Sequence, residues 1–396
     1  MFKACVVGLG YVGLPILKNL SKKYLTVGYD NNYKRIQKLK KRIDIFSEFS
    51  KNDLSKINTT YTTEIEKVSF CNLFIVTVPT PVFLNKKPNL GHLKDVCNKI
   101  SKILKKNDII IFESTVYPGT TNDFCIKILE KKSKLAEGKD FFVGYSPERV
   151  NPGDKKHSLK NINKILAYPH NYKKKDLKKM YSSLGKKIIL TNNIKEAETA
   201  KVIENIQRDV NIGLINEFYL VCDKLNINFD NVINLASTKW NFLKFKPGLV
   251  GGHCLPVDPY YLSFISKKNK VQTKITLAGR SINDSMASLV EKKILDTIKK
   301  INNKNKKIII CGLSYKKDVA DLRNSLSLKI FNNINKKNKD IKGYDPLLNI
   351  DIAKKKKFIT SINELSKFDV FFVLTKHTIM SSILKKIKHK TIFYPI

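Results

Sequence analysis

Ala4-Cys5-Val6-Val7-Gly8-Leu9-Gly10-Tyr11-Val12-Gly13, continued by Leu14 to Leu20 and closed by Leu25-Thr26-Val27-Gly28-Tyr29-Asp30, decides the fold. Four apolar residues read as a short buried strand, the glycine triplet as a turn, Leu14 to Leu20 as a helix, and Leu25 to Tyr29 as a second strand. Each glycine has its own task. The first permits the tight turn, the second lets backbone approach a pyrophosphate, and the third lets helix pack on strand. The phosphates then meet a helix N-terminus, whose unpaired N–H groups and dipole favour anions. Asp30 follows at the spacing at which a carboxylate takes the ribose hydroxyls and disfavours a 2′-phosphate. Gly8, Gly10, Tyr11, Val12, Gly13 and Asp30 are therefore candidate contacts to NAD. Arg35 lies near enough to join them, although a cation there would also suit NADP.

Three more apolar runs extend the pattern. Leu73 to Val78 ends in Pro79-Thr80-Pro81, Ile109 to Phe112 in Glu113-Ser114-Thr115, and Phe141 to Tyr145 in Ser146-Pro147-Glu148-Arg149. Unbroken apolar strands between helical patterns describe a parallel sheet covered on both faces. Ligands of such sheets bind beyond the carboxyl ends of the strands. Thr80, Thr115 and Glu148 stand there; the alternative is that they cap the helices that follow.

From Lys195 to Leu225 the pattern becomes one long helix without proline, with Lys201, Asn205 and Arg208 at i, i+4 and i+7. That polar stripe either faces solvent or borders a cleft. The α/β theme then restarts with strands at Lys307 to Leu313, Asp340 to Pro346 and Phe368 to Leu374, without the Gly-x-Gly-x-x-Gly turn. The expected fold is α/β: two Rossmann-like parallel-sheet domains joined by a long central helix. The expected domains are residues 1–193, which bind NAD, 194–303, central and helical with a cysteine loop, and 304–396, which bind the substrate nucleotide.

The net charge is +40, from 74 Lys and Arg against 34 Asp and Glu. Lysine runs occur in every segment and lack interleaved aromatic residues, so they read as solvated faces rather than a nucleic-acid footprint. The charge would still attract anionic cofactors and nucleotides. No apolar run is long enough to span a bilayer and the start lacks a signal-peptide pattern. Seven scattered cysteines without Cys-x-x-Cys pairs argue against a disulfide framework or a metal site. A reducing cytoplasm is the expected home, with no nucleic-acid or membrane partner.

The chemistry sits in Gly251-Gly252-His253-Cys254-Leu255, with Asp258 four residues past the cysteine. A thiolate beside a nicotinamide suggests oxidation of an aldehyde: the thiohemiacetal on Cys254 becomes a thioester and is hydrolysed. Lys201 could lower the thiol pKa, stabilise oxyanions and shuttle protons. His253 is an alternative base, but adjacent residues rarely point at each other. Two other readings stay open on these residues. A two-electron hydroxyacid dehydrogenase would need no cysteine, and a basic NAD-binding regulator would show no turnover.

The chain resembles the UDP-glucose/GDP-mannose dehydrogenase superfamily over nearly its whole length. The marks are Gly8 to Pro15, Val78 to Pro81, Glu113 to Thr121, Gly251 to Pro259 and Lys316 to Arg323. Tyr145 to Asp154, Glu204 to Asn211 and Leu277 to Asp284 resemble the branch acting on UDP-N-acetylhexosamines. The resemblance implies a four-electron, NAD-dependent oxidation at C6 for surface-polysaccharide synthesis by a homodimer or higher homo-oligomer. It implies that Cys254, Lys201, Asn205 and Asp258 line the catalytic centre while Thr115 and Glu148 position water. It further implies NAD contacts from Thr80, Thr115 and Arg323. Glu148, Arg149, Lys201, Asn205, Phe245, Gly248, Gly252 and Lys316 would contact substrate, with Arg280 reaching in from a partner subunit. Leu255-Pro256 departs from the Ile-Gly common in N-acetylhexosamine relatives, beside the nucleophile.

Overall fold

Beyond Phe112 and Tyr145 the chain builds more sheet than its apolar runs announce. The computed structural model describes residues 1–45, 49–150, 159–252, 255–301, 306–387 and 390–396. Contacts divide the chain into two units, Met1–Glu204 with Tyr260–Val271, and Asn205–Pro259 with Gln272–Ile396.

The first unit holds β1 (Lys3–Val7), β2 (Leu25–Tyr29), β3 (Thr60–Thr62), β4 (Leu73–Val76), β5 (Ile109–Phe112), β6 (Phe142–Tyr145), β7 (Lys164–Ala167) and β8 (Ile188–Thr191). They form one sheet in the order β3-β2-β1-β4-β5-β6-β7-β8. The order reverses between β1 and β4, and dinucleotides bind at such a switch point. Alternate residues feed opposite faces. Ala4, Val6, Ile109 and Ile111 enter one core, and Cys5, Val7, Ile110 and Phe112 the other. Both faces are dry, which is why these strands read as continuous apolar runs.

β7 breaks the parallel pattern. It pairs with β6 antiparallel, at Tyr145 opposite Ala167, and with β8 parallel. Neither β7 nor β8 stands out in the sequence. β7 opens on a lysine, and Ile189 and Leu190 of β8 are 44% and 37% exposed.

In the second unit β9 (Ile308–Cys311), β10 (Lys342–Tyr344), β11 (Val370–Val373) and β12 (Thr391–Phe393) form a parallel sheet ordered β10-β9-β11-β12. It alternates in the same way, with Ile308 and Ile310 on one core and Ile309 and Cys311 on the other. The long helix is present as Ile194–Lys224, and the boundary between the units falls inside it. Its polar stripe is split: Lys201 and Asn205 are buried, whereas Arg208 is exposed. Gly213 meets the backbone of Gly279 on the Lys274–Lys300 helix, so closely that a Cβ would stand 2.7 Å from the Gly279 carbonyl oxygen.

Candidate active site

In the first unit the glycine turn is shaped as its spacing requires. Gly8 adopts φ +93° and donates its N–H to the Tyr29 carbonyl at 2.8 Å. A Cβ on Gly13 would stand 1.9 Å from the Gly8 oxygen, so helix and strand touch there. A Cβ on Gly10 would meet nothing within 4 Å. No side chain caps the Gly13–Leu20 helix at Val12. Open backbone before an uncapped helix N-terminus is the cradle that a pyrophosphate fills. Asp30, 5% exposed, accepts the Leu9 N–H at 2.9 Å, the Asn32 N–H at 2.8 Å and the Arg35 guanidinium at 3.0 Å. Its Oδ1 retains acceptor capacity for a ribose hydroxyl. These residues fit a dinucleotide.

Thr80 and Thr115 are brought together: the Thr80 hydroxyl donates to the Thr115 carbonyl. The Tyr261 hydroxyl donates in turn to the Thr80 carbonyl, and Tyr117 packs edge-on to Tyr261 with ring centroids 6.3 Å apart. Glu198, buried on the long helix, accepts the N–H groups of Gly119 at 2.5 Å and Thr121 at 2.8 Å. It thereby ties the loop after Thr115 to the helix that carries Lys201. Burial pushes the Glu198 carboxyl up, opposed by its bonds from Thr121 and Gly119. Lys201 is buried and, among the described residues, pairs with no carboxylate.

Glu148 is buried in a network the sequence did not announce. Its Oε1 accepts the N–H groups of Arg149 and Val150, each at 2.6 Å, and its Oε2 accepts Lys164 Nζ at 3.1 Å. Lys164, 1% exposed, also donates to Glu113 Oε2 at 2.6 Å, and Glu113 Oε1 accepts the Tyr181 hydroxyl at 2.9 Å. Burial opposes the Glu148 charge, but the Lys164 ammonium and the two backbone N–H groups outweigh it and hold the carboxyl below its ordinary range. Glu113 goes the other way. Burial, helped by the Glu148 charge and only partly countered by Lys164, pushes it up to about 7. Arg149 turns from Glu148 to Glu204, with Nη2 2.7 Å from a carboxylate oxygen.

In the second unit Asn205 donates to Asp258 Oδ2 at 2.6 Å, and both are buried. Asp258 opens the Asp258–Lys268 helix, where a carboxylate suits the dipole. His253 and Cys254 lie outside the described residues, as do Asn151 to Asp154. The glycines before them are described. Gly252 adopts φ +92°, and a Cβ there would press on the Tyr315 ring at 2.7 Å. Asn324 holds it from both sides, accepting its N–H at 3.2 Å and donating to its carbonyl at 3.3 Å. Asn216 does the same for Gly248, at 2.8 and 3.1 Å. Phe245 and Lys316 are half-buried.

Two arginines are already engaged. Arg280 is 1% exposed, with Nη1 2.5 Å from Asp209 and Nη2 3.2 Å from Asp284. Burial raises the Asp209 carboxyl to about 6 despite that guanidinium. Arg323 forks onto Asp321 at 3.0 and 2.6 Å. Among the described residues no His, Cys, Asp and Glu group is arranged to hold a metal, and no helix is long and apolar enough to cross a membrane.

Lys164, Glu113, Tyr181, Glu198 and Tyr261 were all missed by sequence reasoning. Glu113 stood inside a quoted motif and Tyr261 two residues past another; the others carried no local signal.

Comparison with known proteins agrees with this geometry. Residues 2–185 match the NAD binding domain of the UDP-glucose/GDP-mannose dehydrogenase family, 195–285 its central domain and 309–394 its UDP binding domain. The chain is 44% identical to the UDP-N-acetyl-D-glucosamine 6-dehydrogenase of Salmonella typhi over 295 residues, 74% of this chain and 69% of that protein. Identity is also 44% to the enzyme of that name from Pseudomonas aeruginosa, over 74% of this chain and 70% of the other. The solved UDP-D-ManNAc dehydrogenase of Pyrococcus horikoshii superposes with a TM-score of 0.84 at 31% identity, covering 96% of this chain and 92% of that one. A glycine turn shaped for a dinucleotide, a buried acid after β2, a second parallel sheet and matches along nearly the whole chain agree: the chain belongs to the UDP-glucose/GDP-mannose dehydrogenase family, and its cofactor is NAD.

Proposed function

We propose that this chain oxidises the C6 alcohol of a UDP-N-acetylhexosamine to the uronic acid, through a thioester on Cys254. The observation that carries the reading is the buried pair Asn205–Asp258 at 2.6 Å, which fixes the segment four residues past the cysteine. The 44% identity to two UDP-N-acetyl-D-glucosamine 6-dehydrogenases supports the N-acetylhexosamine, with the glucosamine epimer as the first to test.

NAD, when bound, would supply the hydride acceptor for both oxidations. The residues divide the rest. Cys254 adds to the aldehyde, and the thiohemiacetal is oxidised to a thioester. Lys201 supplies positive charge for the thiolate and the developing oxyanions, and Asn205 and Asp258 orient the reacting groups. Thr115 and Glu148 hold the water that hydrolyses the thioester, and the ionised state of Glu148 suits that task. Arg149, Phe245, Gly248, Gly252 and Lys316 serve the nucleotide sugar.

An exposed apolar stripe on the long helix, with Leu214 45%, Phe218 44% and Val221 52% exposed, supports a homodimer built on that helix. The acidic product suits surface-polysaccharide synthesis in the cytoplasm.

The deciding experiment counts NADH per sugar with UDP-N-acetylglucosamine, its galactosamine and mannosamine epimers, and UDP-glucose. Two NADH per uronate, with no aldehyde released, are expected from an acetamido sugar. One NADH per sugar, or aldehyde trapped in quantity, would rule out the thioester route.

A further inference from the structure

We infer that Lys164 is a positioning residue for thioester hydrolysis, holding Glu148 ionised and leaving one acceptor position of its carboxylate for the attacking water. The inference rests on the proposed thioester route and goes beyond it, since neither the catalytic motifs nor the family resemblance singles out Lys164.

Strand direction decides which end of the sheet Lys164 reaches. A parallel neighbour of β6 would start at the far end of the sheet, away from the carboxyl ends where ligands bind. β7 instead runs antiparallel to β6, with Ala167 opposite Tyr145. Continuing that register by three residues along each chain sets Lys164, the first residue of β7, across from Glu148. The reversed strand thus delivers an ammonium to the catalytic end of the sheet.

Two carboxylates grip that ammonium, Glu113 at 2.6 Å and Glu148 at 3.1 Å, and all three groups are buried. A buried lysine of no use would be costly; this one is compensated by two acids and stacks 6.0 Å from the Tyr181 ring. Acceptor positions on Glu148 can be counted. Oε1 is taken by two backbone N–H groups and Oε2 by one Lys164 bond. A carboxylate has about four lone-pair sites, so among the described residues one on Oε2 remains.

The step served is hydrolysis. The water oxygen bonds to the thioester carbonyl carbon, and one water proton passes to the Glu148 carboxylate. The C–S bond breaks with its electron pair returning to the Cys254 sulfur. The products are the sugar acid, the thiolate and protonated Glu148, whose proton then returns to the thiolate or to solvent. Among the described residues, the charged groups around Glu148 are Lys164, Glu113 and the Arg149–Glu204 pair, with the Tyr181 hydroxyl behind Glu113.

The test follows full-length enzyme with NAD and UDP-N-acetylglucosamine (or whichever epimer the wild type turns over best) through a rapid-quench time course. NADH is counted and residue 254 is read by intact mass spectrometry. Lys164→Met should keep a burst of two NADH per active site, then turn over about tenfold or more slowly. The sugar acyl adduct on Cys254 should accumulate, and the acid limb of the pH–rate profile should move to higher pH. Lys164→Gln, which keeps a hydrogen-bond donor without the charge, is read by the same criteria and decides the matter should Lys164→Met lose NAD binding. Unchanged steady-state turnover, or equal loss of burst and steady state without adduct, overturns the inference while the thioester route stands. One NADH per sugar in the wild type, or aldehyde trapped in quantity, overturns both.

Discussion

Asp30 does two jobs at once, and the second sets what its removal costs. Besides its proposed place at the ribose, its carboxylate accepts the buried Leu9 N–H at 2.9 Å. Asp30→Ala should narrow the preference for NAD over NADP, since it removes the acid together with its 3.0 Å bond from the Arg35 guanidinium. It should also lower stability by about 1–3 kcal/mol, because a buried donor loses its partner. The ratio of kcat/KM for the two cofactors and a denaturant midpoint read the two effects separately. Equal use of both cofactors by the unaltered enzyme would show that Asp30 faces elsewhere. At Cys254 the expectation is starker. Cys254→Ala should lose about 10³-fold or more in four-electron turnover with NAD binding preserved. Cys254→Ser should carry the sugar nucleotide as an ester visible by mass spectrometry, since an ester hydrolyses far more slowly than a thioester. Near-normal turnover of Cys254→Ala would refute the mechanism.

Elements in the first unit meet through contacts with no slack. The Gly13–Leu20 helix touches β1 at a point where even a methyl group on Gly13 would stand 1.9 Å from the Gly8 oxygen. Gly13→Ala should therefore displace the helix N-terminus and weaken NAD binding by about tenfold or more, as titration of NADH fluorescence would read; unaltered affinity would show that the turn tolerates movement. The ends of β5 and β6 give the unit a pH dependence with a definite sign. Glu113 titrates at about 7 in the fold against an ordinary 4.5, so between those values the folded chain holds more protons than the unfolded one. Stability from this group is complete below the lower value and falls as pH rises through the higher one. Glu148 acts oppositely: its folded pKa is depressed, so its contribution is present above the ordinary value and lost as pH falls through the folded one. Glu113→Gln should flatten the decline in thermal stability between about pH 4.5 and 7. An unchanged slope in the variant would place the titration on another group.

At the scale of the whole molecule, charge and assembly matter most. A chain at +40 that takes two anionic ligands should show association rates that fall as salt is added, because screening shortens the reach of its field. Stopped-flow binding of NAD between about 0.01 and 0.3 M salt, where the Debye length falls from roughly 30 to under 10 Å, would show it. A flat response would assign the lysines to solvated surface alone. For assembly, sedimentation equilibrium should report at least twice the 45.4 kDa chain mass. Phe218→Lys should shift that equilibrium toward monomer, by placing a charge within the exposed stripe that also holds Leu214 and Val221.

The amino-acid sequence by itself determined the parts whose physics is local. The strands β1, β2, β4, β5, β6, β9 and β11 read as apolar runs because both faces of their sheets are dry, and the glycine turn read correctly because φ +93° at Gly8 and the contact at Gly13 exclude side chains there. The long helix was legible from its unbroken, proline-free pattern to within one residue at each end. Tertiary structure alone decided where charges are buried. Lys164 meets Glu113 across 51 residues and Asn205 meets Asp258 across 53. In a chain with so many lysines, nothing local distinguishes Lys164 from those that stay in solvent. Arg280, for which family resemblance implied a substrate contact from a partner subunit, is held within this chain by Asp209 and Asp284, a placement no local pattern announces. Backbone sterics and side-chain periodicity act within a few residues and so are written along the chain. The ionisation and aim of a buried charge depend on partners brought from afar, and only the folded arrangement supplies them.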